Sequence, residues 1–194
     1  MLLEFPVVLK KLDTMTDDEF FAFCRANDPM EFERDKNGNI IIVSPTGSKT
    51  GLRNITLGGE LYAWNKYHDL GYAFDSSTGF NLPNGATRSP DAAWIVKERW
   101  EAIPEEQQEK FAPICPDFVI ELRSASDDLK YLQNKMEEFR ENNCRLGWLI
   151  DRKEQNVHIY RPDQPVETVQ SFDSMLSGED VLPGFTFDLR LLNR

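Results

Sequence analysis

The stretch PDFVIELRSASDDLKYLQNKMEEF, residues 116–139, decides the fold. It begins with an apolar run, residues 117–122, whose β-branched and aromatic side chains predict a strand. Ser126 then precedes apolar residues at positions 129, 132, 136 and 139, a 3-4-3 spacing typical of a helix with one buried face. A strand followed by such a helix predicts an α/β fold in which the helix packs on the sheet.

Glu121 is the unusual residue of the predicted strand. Side chains of a strand alternate between two faces, so Phe118, Ile120 and Leu122 share one face and Glu121 lies on the other. Burial of a carboxylate among apolar side chains costs free energy unless the group is paired or binds a metal ion. We therefore expect Glu121 to bind a divalent cation or, alternatively, to form a structural ion pair with Arg123 or another basic residue.

A second Pro-Asp pair, Pro90-Asp91, also precedes an apolar run, AAWIV. If the sheet brings Asp91 next to Glu121, two carboxylates converge, and a divalent cation relieves their mutual repulsion. Oxygen ligands of this kind suit Mg²⁺ or Mn²⁺. The other interpretation of Asp91 is a turn residue that only begins a strand.

The helix after Glu121 supplies a basic group. Lys135 lies roughly 75° from the centre of the buried helical stripe, at its edge. Its methylene groups can cross the core surface while its ammonium group reaches the carboxylates of the neighbouring strand. There it could orient a water molecule or stabilise charge on a phosphoryl transition state. An ordinary lysine at the edge of a helix is the alternative.

The rest of the chain predicts helices and hairpins around this unit, and residues 72–75, 78–82 and 91–96 predict three short strands of a meander. Thr16 and Glu19 form a capping box for a short helix, and Asn37-Gly38 is typical of a hairpin turn. Residues 48–69 lack proline and predict a long helix, in which we interpret Gly58-Gly59 as points of close helix-to-sheet packing. The predicted core is αβββαβ with a mixed central sheet, and hairpin-rich additions lie at both ends. No linker is apparent, so we expect one domain over residues 1–194.

Composition excludes several classes of protein. The 194 residues carry 22 basic and 33 acidic side chains, a net charge of −11, which argues against a highly basic protein that coats DNA but not against a local basic groove. Two histidines leave little material for a histidine-based zinc site or a Ser-His-Asp triad. Three cysteines without a CxxC pair predict reduced thiols in a cytoplasmic protein. The sequence predicts neither a signal peptide nor a membrane span.

Pro90-Asp91, Glu121 thirty residues later and a lysine-bearing helix together resemble the PD-(D/E)xK nuclease superfamily. More narrowly, residues 116–139 followed by RLGWLID and VHIYRP resemble the Uma-two family of restriction-endonuclease-like proteins. The stretches SPTG, GLRN, STGFNLPNGATRSPDAAW and LPGFTFDL are also similar to that family. The resemblance covers about residues 35–190, and it implies a restriction-endonuclease-like core at about residues 35–161.

The resemblance implies hydrolysis of DNA phosphodiester bonds with Mg²⁺ or Mn²⁺. Asp91 and Glu121 would hold the metal and Lys135 would polarise the attacking water, while Glu60 on the long helix could add a further ligand. For Glu60 we favour the alternative, a solvated helix residue. Because both strands of a duplex must be cut, a homodimer is expected.

One position departs from the superfamily pattern. Arg123 stands two residues after the acid, where the superfamily has its lysine, and arginine is a poor proton shuttle because it stays protonated. The resemblance then implies that the lysine has moved to Lys135. Arg123 and the net charge favour a different class of function, a catalytically inactive nuclease-fold module that binds nucleic acid or a protein. An enzyme acting on a small phosphorylated metabolite is disfavoured because no glycine-rich phosphate loop precedes a helix.

Overall fold

A computed structural model describes residues 7–9 and 15–193. The helices are α1 (Asp17–Ala26), α2 (Ser48–His68), α3 (Lys97–Glu101), α4 (Glu105–Gln108) and α5 (Leu129–Glu141), with a 3₁₀ helix at Leu189–Asn193. The strands are β1 (Val7–Leu9), β2 (Glu31–Arg34), β3 (Ile40–Val43), β4 (Gly71–Phe74), β5 (Phe80–Asn81), β6 (Thr87–Arg88), β7 (Ala92–Val96), β8 (Phe118–Arg123), β9 (Leu146–Asp151), β10 (Asn156–Tyr160), β11 (Glu167–Gln170), β12 (Met175–Ser177) and β13 (Thr186–Asp188).

The central sheet has six strands in the order β11-β10-β9-β8-β7-β4. Strands β8 and β9 run parallel and are joined by α5, whereas the other neighbours are antiparallel. The sequence of core elements is therefore α2-β4-β7-β8-α5-β9, which confirms the predicted αβββαβ core and its mixed sheet. The parallel pair requires a crossover connection, and α5 supplies it.

Hairpin strands form two further sheets. One has five strands in the order β1-β3-β2-β6-β5, and the other pairs β12 with β13. The sequence predicts that residues 78–82 form the middle strand of a meander with β4 and β7, and this is wrong. Strand β5 pairs with β6 instead, and its Asn81 backbone N–H donates to the Ala112 carbonyl. The third strand of the core is β8.

The two faces of the central sheet carry separate apolar clusters. Helix α2 and the C-terminal segment cover one face, where Phe118, Ile120 and Leu122 are buried. Helix α5 covers the other face, which holds Val119 of the same strand. The alternation predicted for β8 is confirmed, and it directs the side chain of Glu121 towards α5. Leu132, Met136 and Phe139 form the buried stripe of that helix, as their spacing predicts.

The interpretation of Gly58-Gly59 as a close-packing point is wrong. A Cβ atom built on either glycine meets nothing within 4 Å, so both face open space on α2. Close packing occurs at Gly147 of β9 instead, where a Cβ would lie 2.5 Å from Met136 Cε of α5. Among the helices of residues 15–193, none combines the length and the apolar character needed to cross a membrane.

Candidate active site

The candidate site lies in a cleft of about 1510 Å³. Residues of α1, β2, β3, the first turns of α2, the end of β8 and α5 line it. Typical pockets for small ligands have about 300–1,000 Å³, so this cleft has room for a larger substrate. Asp91, Glu121 and Lys135, the three residues predicted from the sequence, all contribute to its lining.

Strand pairing brings the two predicted carboxylates together. Strands β7 and β8 pair antiparallel with Ala92 opposite Ile120, so one further step along each chain sets Asp91 opposite Glu121. Asp91 Oδ2 accepts a hydrogen bond of 2.7 Å from the backbone N–H of Leu122. This bond fixes the first acid at the end of the strand that carries the second.

Lys135 reaches the strands from α5, as its position at the edge of the helical stripe predicts. Its Nζ lies 2.6 Å from Glu121 Oε1 and 2.7 Å from Glu33 Oε1, and it donates to the Ser89 carbonyl at 2.8 Å. The basic partner of Glu121 is thus Lys135. Arg123 points elsewhere, with Nη1 2.7 Å from Asp151 Oδ2.

Glu33 of β2 is a member of the site that the sequence analysis misses. It is 2% exposed, and its Oε1 also accepts the backbone N–H of Ser89 at 3.0 Å. Its Oε2 lies 3.0 Å from Nη1 of Arg88, whose Nε lies 2.5 Å from Glu138 Oε2. A charged residue in a short hairpin strand normally faces solvent, so the local sequence offered no signal for this burial.

Asn54 of α2 is the second member that the sequence analysis misses. Its Nδ2 donates to Asp91 Oδ1 at 2.7 Å, while its own Oδ1 is buried and receives no hydrogen bond from any of the residues that the structure describes. The 3.6-residue period of the helix could have identified Asn54 from the sequence, because Asn54 lies on the same face as Leu57 and Leu61. Glu60 follows Asn54 by six residues, roughly 120° around the helix, where it is exposed and does not line the cleft.

Burial dominates the electrostatics of the two strand acids. It raises the pKa of Glu121 to about 8, although Lys135 opposes this shift and the neighbouring Asp91 and Glu33 reinforce it. Burial also raises the pKa of Asp91, against the hydrogen bond from Leu122. Both carboxylates therefore hold their charge at a cost in free energy, and a bound cation would lower that cost.

The pKa values of Glu33 and Lys135 are shifted in the directions expected for a strong ion pair. Burial alone would raise the pKa of Glu33, but Lys135 and Arg88 outweigh it and hold this pKa below its usual value. Burial alone would lower the pKa of Lys135, but Glu121 and Glu33 outweigh it and raise this pKa. Lys135 is therefore a permanent cation between two buried carboxylates.

The residues present fit a hard divalent cation such as Mg²⁺. Across the part of the chain that is described, no three His, Cys, Asp or Glu side chains converge as a preformed metal cage. Mg²⁺ does not need such a cage, because it is usually bound by one or two carboxylates together with waters and substrate phosphates. Asp91 and Glu121 provide the carboxylates, and the buried Asn54 Oδ1 is an oxygen acceptor with no donor beside them.

Comparison with known proteins identifies the fold and the family of the chain. The structure is similar to the crystal structure of a protein from Anabaena variabilis described as a putative nuclease belonging to DUF820, with a TM-score of 0.72. The match covers 92% of this chain and 97% of the other; at 22% sequence identity it shows the fold alone. No curated protein matches the chain. The model of the Uma2 family, described as "putative restriction endonuclease", matches residues 17–190, and the chain therefore belongs to that family.

Proposed function

We propose that this protein is an endonuclease that hydrolyses DNA phosphodiester bonds with Mg²⁺ or Mn²⁺ and works as a homodimer. The observation that carries the proposal is the meeting of two acids from adjacent strands with a lysine from the next helix, in a large cleft. Membership of the Uma2 family supports nuclease chemistry in general. That the substrate is DNA, that the ion is Mg²⁺ or Mn²⁺ and that the protein is a homodimer are our inferences.

Each residue of the site has a role that follows from its contacts. Asp91 and Glu121 would hold the ion, and Asn54 would orient Asp91 through its amide N–H. Lys135 would position the attacking water and stabilise charge on the phosphate, and Glu33 would act as a positioning residue that aims Lys135. A divalent ion bound there supplies Lewis-acid stabilisation of the charge on the phosphodiester.

Arg123 takes no part in this scheme. Its guanidinium is paired with the fully buried Asp151 and also donates to the Asp127 carbonyl, so it braces the loop after β8. Arg123 does not line the cleft. Because arginine stays protonated at every working pH, it could not have carried a proton there in any case. Lys135 thus stands where the chemistry needs a basic side chain.

Two observations favour an inactive, binding-only module as the second candidate. Lys135 Nζ is already engaged by three oxygen atoms, from Glu33, Glu121 and Ser89. In addition, the described residues that line the cleft include eight carboxylates but only two basic side chains. A site closed by its own ion pairs could bind a partner without cleaving it.

Cleavage of supercoiled plasmid with Mg²⁺ or Mn²⁺ tests the proposal. The wild-type protein should cut, whereas Asp91→Ala, Glu121→Ala and Lys135→Ala should each lose cleavage. Glu60→Ala is the matched acidic control and should cut like the wild type, because Glu60 lies outside the cleft. Equal cutting by all variants would indicate a contaminating nuclease. DNA binding by a folded wild-type protein that never cuts would favour the inactive module.

A further inference from the structure

Helix α2 is apolar on its outer face as well as on the face that packs against the sheet. Leu57 and Leu61 are buried, but Leu52, Ile55 and Tyr62 are 57%, 70% and 58% exposed. Large apolar side chains that cluster on an exposed face commonly mark an interaction surface. The outer face of α2, defined by Leu52, Ile55, Gly59, Tyr62, Ala63 and Lys66, is therefore a candidate interaction surface.

Gly59 lies at the middle of this face. At about 100° per residue it points within roughly 15° of the direction opposite the buried stripe of Leu57, Leu61 and Trp64. No atom lies within 4 Å of a Cβ built on Gly59. Because it lacks a side chain, it allows the backbone of a second helix to approach closely, as small residues do where helices cross.

We propose that the outer face of α2 binds the same face of a second copy, with two antiparallel α2 helices crossing at Gly59. When two antiparallel α2 helices cross at Gly59, residue i of one helix lies level with residue 118 − i of the other. Ile55 then lies level with Ala63 of the second copy and one residue from its Tyr62, and the two-fold repeats this contact. Leu52 lies level with Lys66 of the second copy, whose methylene groups can cover it while the ammonium group reaches solvent.

Charge and area both permit a second copy as the occupant. The basic residue of the face, Lys66, is seven residues from Gly59, so the two Lys66 side chains start roughly 20 Å apart along the axes, beyond a Debye length of about 8–10 Å. Leu52, Ile55 and Tyr62 offer on the order of 400 Å² of exposed side-chain surface per copy. A standard interface needs about 800 Å² per partner, so these three side chains provide about half of it.

This arrangement has a consequence that rests on the proposed function. Asn54, which contacts Asp91, lies five residues from Gly59, or about 7.5 Å along the helix axis. In an antiparallel pair the two candidate sites are therefore displaced by roughly 15 Å along the axes, one on each side of the crossing. Two sites at this spacing can act on the two strands of one duplex.

Cysteine cross-linking of the full chain tests the crossing point directly. Two-fold symmetry places the two Gly59 positions next to each other, so Gly59→Cys should form a disulfide between copies under mild oxidation, because helices at 8–10 Å bring such Cα atoms within disulfide range. Gly58→Cys is the matched control, since Gly58 is also open but points about 100° away. Equal cross-linking of both variants, or of neither, would overturn the proposal.

Analytical ultracentrifugation of the protein without added cysteines provides an independent test. The wild type should sediment at twice the chain mass of 22.4 kDa, and Ile55→Glu should sediment as a monomer with an unchanged circular dichroism spectrum. Asn134→Glu places the same charge on an exposed position of α5 and should remain dimeric. A monomeric wild type at high micromolar concentration, or a dimer that Ile55→Glu leaves intact, would overturn the proposal. Cleavage activity plays no part in either readout, so failure of this inference is separate from failure of the proposed function.

Discussion

At the scale of single residues, the site is organised around one buried lysine. Lys135 lies between Glu33 of β2 and Glu121 of β8, so it connects the five-stranded sheet to the central six-stranded sheet. The same side chain serves the proposed chemistry. Removing one member of a buried ion pair leaves an uncompensated charge and costs about 3–5 kcal/mol. Loss of activity in a Lys135 variant therefore has to be separated from loss of the fold.

We expect Lys135→Met to lower the free energy of unfolding by about 3 kcal/mol, because Glu33 loses its ammonium partner and the buried Glu121 must then take up a proton. Adding Glu121→Gln to this variant should restore part of the loss, since it replaces the buried acid with a neutral amide of the same shape. Urea unfolding of the two single variants and of the double variant measures the coupling. Strictly additive effects would contradict the ion-pair description.

Asn54 offers a prediction about metal binding. Asn54→Asp places a third carboxylate beside Asp91, so it should lower the melting temperature without metal and raise the apparent affinity for Mg²⁺ on the order of tenfold. Asn54→Leu should weaken the Mg²⁺-dependent rise in melting temperature, because the oxygen acceptor and the support for Asp91 are both lost. Thermal unfolding at increasing MgCl₂ concentrations measures these shifts.

The control for this series is Glu60→Gln, which also changes a polar residue of α2 but lies outside the cleft. Its response to Mg²⁺ should match that of the wild type. If Asn54→Leu responds to Mg²⁺ like the wild type, the metal does not use this corner of the cleft. If the wild type itself does not respond, the metal requirement in the proposed function is wrong.

At the scale of helices and strands, the parts of the site that depend on local pattern were predictable. The alternation in β8 identified Glu121, and the 3-4-3 stripe of α5 set Lys135 at the edge next to it. Pro-Asp before an apolar run located Asp91, and the order of strands then made its pairing with β8 plausible. These inferences need only the periods of a strand and a helix.

The parts that depend on distant pairing were not predictable. Glu33 is buried only because β2 and the short β6 bring Arg88 alongside it, 55 residues away in sequence. Strand β5 has two residues, too few for its partner to be read from alternation. The same limit explains why Gly58-Gly59 was assigned to the wrong face, because the stretch 52–64 has apolar residues on both sides of α2 and the sequence cannot say which side meets the sheet.

The glycines of these elements should respond to alanine with opposite signs. A Cβ on Gly71, the first residue of β4, would lie 2.2 Å from the carbonyl oxygen of Ile95 and 2.6 Å from the ring of Trp94. Gly71→Ala should therefore destabilise the protein by roughly 2–3 kcal/mol, the cost of overpacking a core. Gly58→Ala meets no atom and should stabilise it by about 0.5–1 kcal/mol, because alanine is the better helix former. Urea unfolding compares the two variants, and a destabilised Gly58→Ala would show that another part of the protein packs against this position of α2.

At the scale of the whole molecule, charge is the main obstacle to a DNA substrate. The chain carries a net charge of −11, and the cleft lining is itself acidic. A duplex presents one negative charge per roughly 1.7 Å of its axis, so both the surface and the cleft repel it at long range. A divalent cation held by the strand acids neutralises their charge, so the repulsion of a phosphate is removed at the candidate site.

Neutralising the two strand acids should therefore separate DNA binding from cleavage. In the absence of divalent ions and at a pH above the Glu121 pKa of about 8, Asp91→Asn/Glu121→Gln should bind duplex DNA more tightly than the wild type, because two negative charges are removed from the cleft. With Mg²⁺ the wild type should gain affinity and the double variant should not, and the double variant should not cut. Fluorescence anisotropy at one fixed salt concentration measures the binding. Equal affinity of the two proteins without metal would indicate that DNA does not enter this cleft.

The two proposals together predict which plasmid products appear. A dimer with its sites displaced along the crossing helices cuts both strands in one encounter, so the wild type should convert supercoiled plasmid to linear DNA with little nicked intermediate. Ile55→Glu leaves every residue of the cleft in place but separates the copies, so each encounter should cut one strand and nicked circles should accumulate first. Agarose gels of a time course at equal total activity distinguish the two patterns. Linear product at the wild-type ratio from a monomeric Ile55→Glu would show that a single copy cuts both strands, and α2 pairing would then be irrelevant to cleavage.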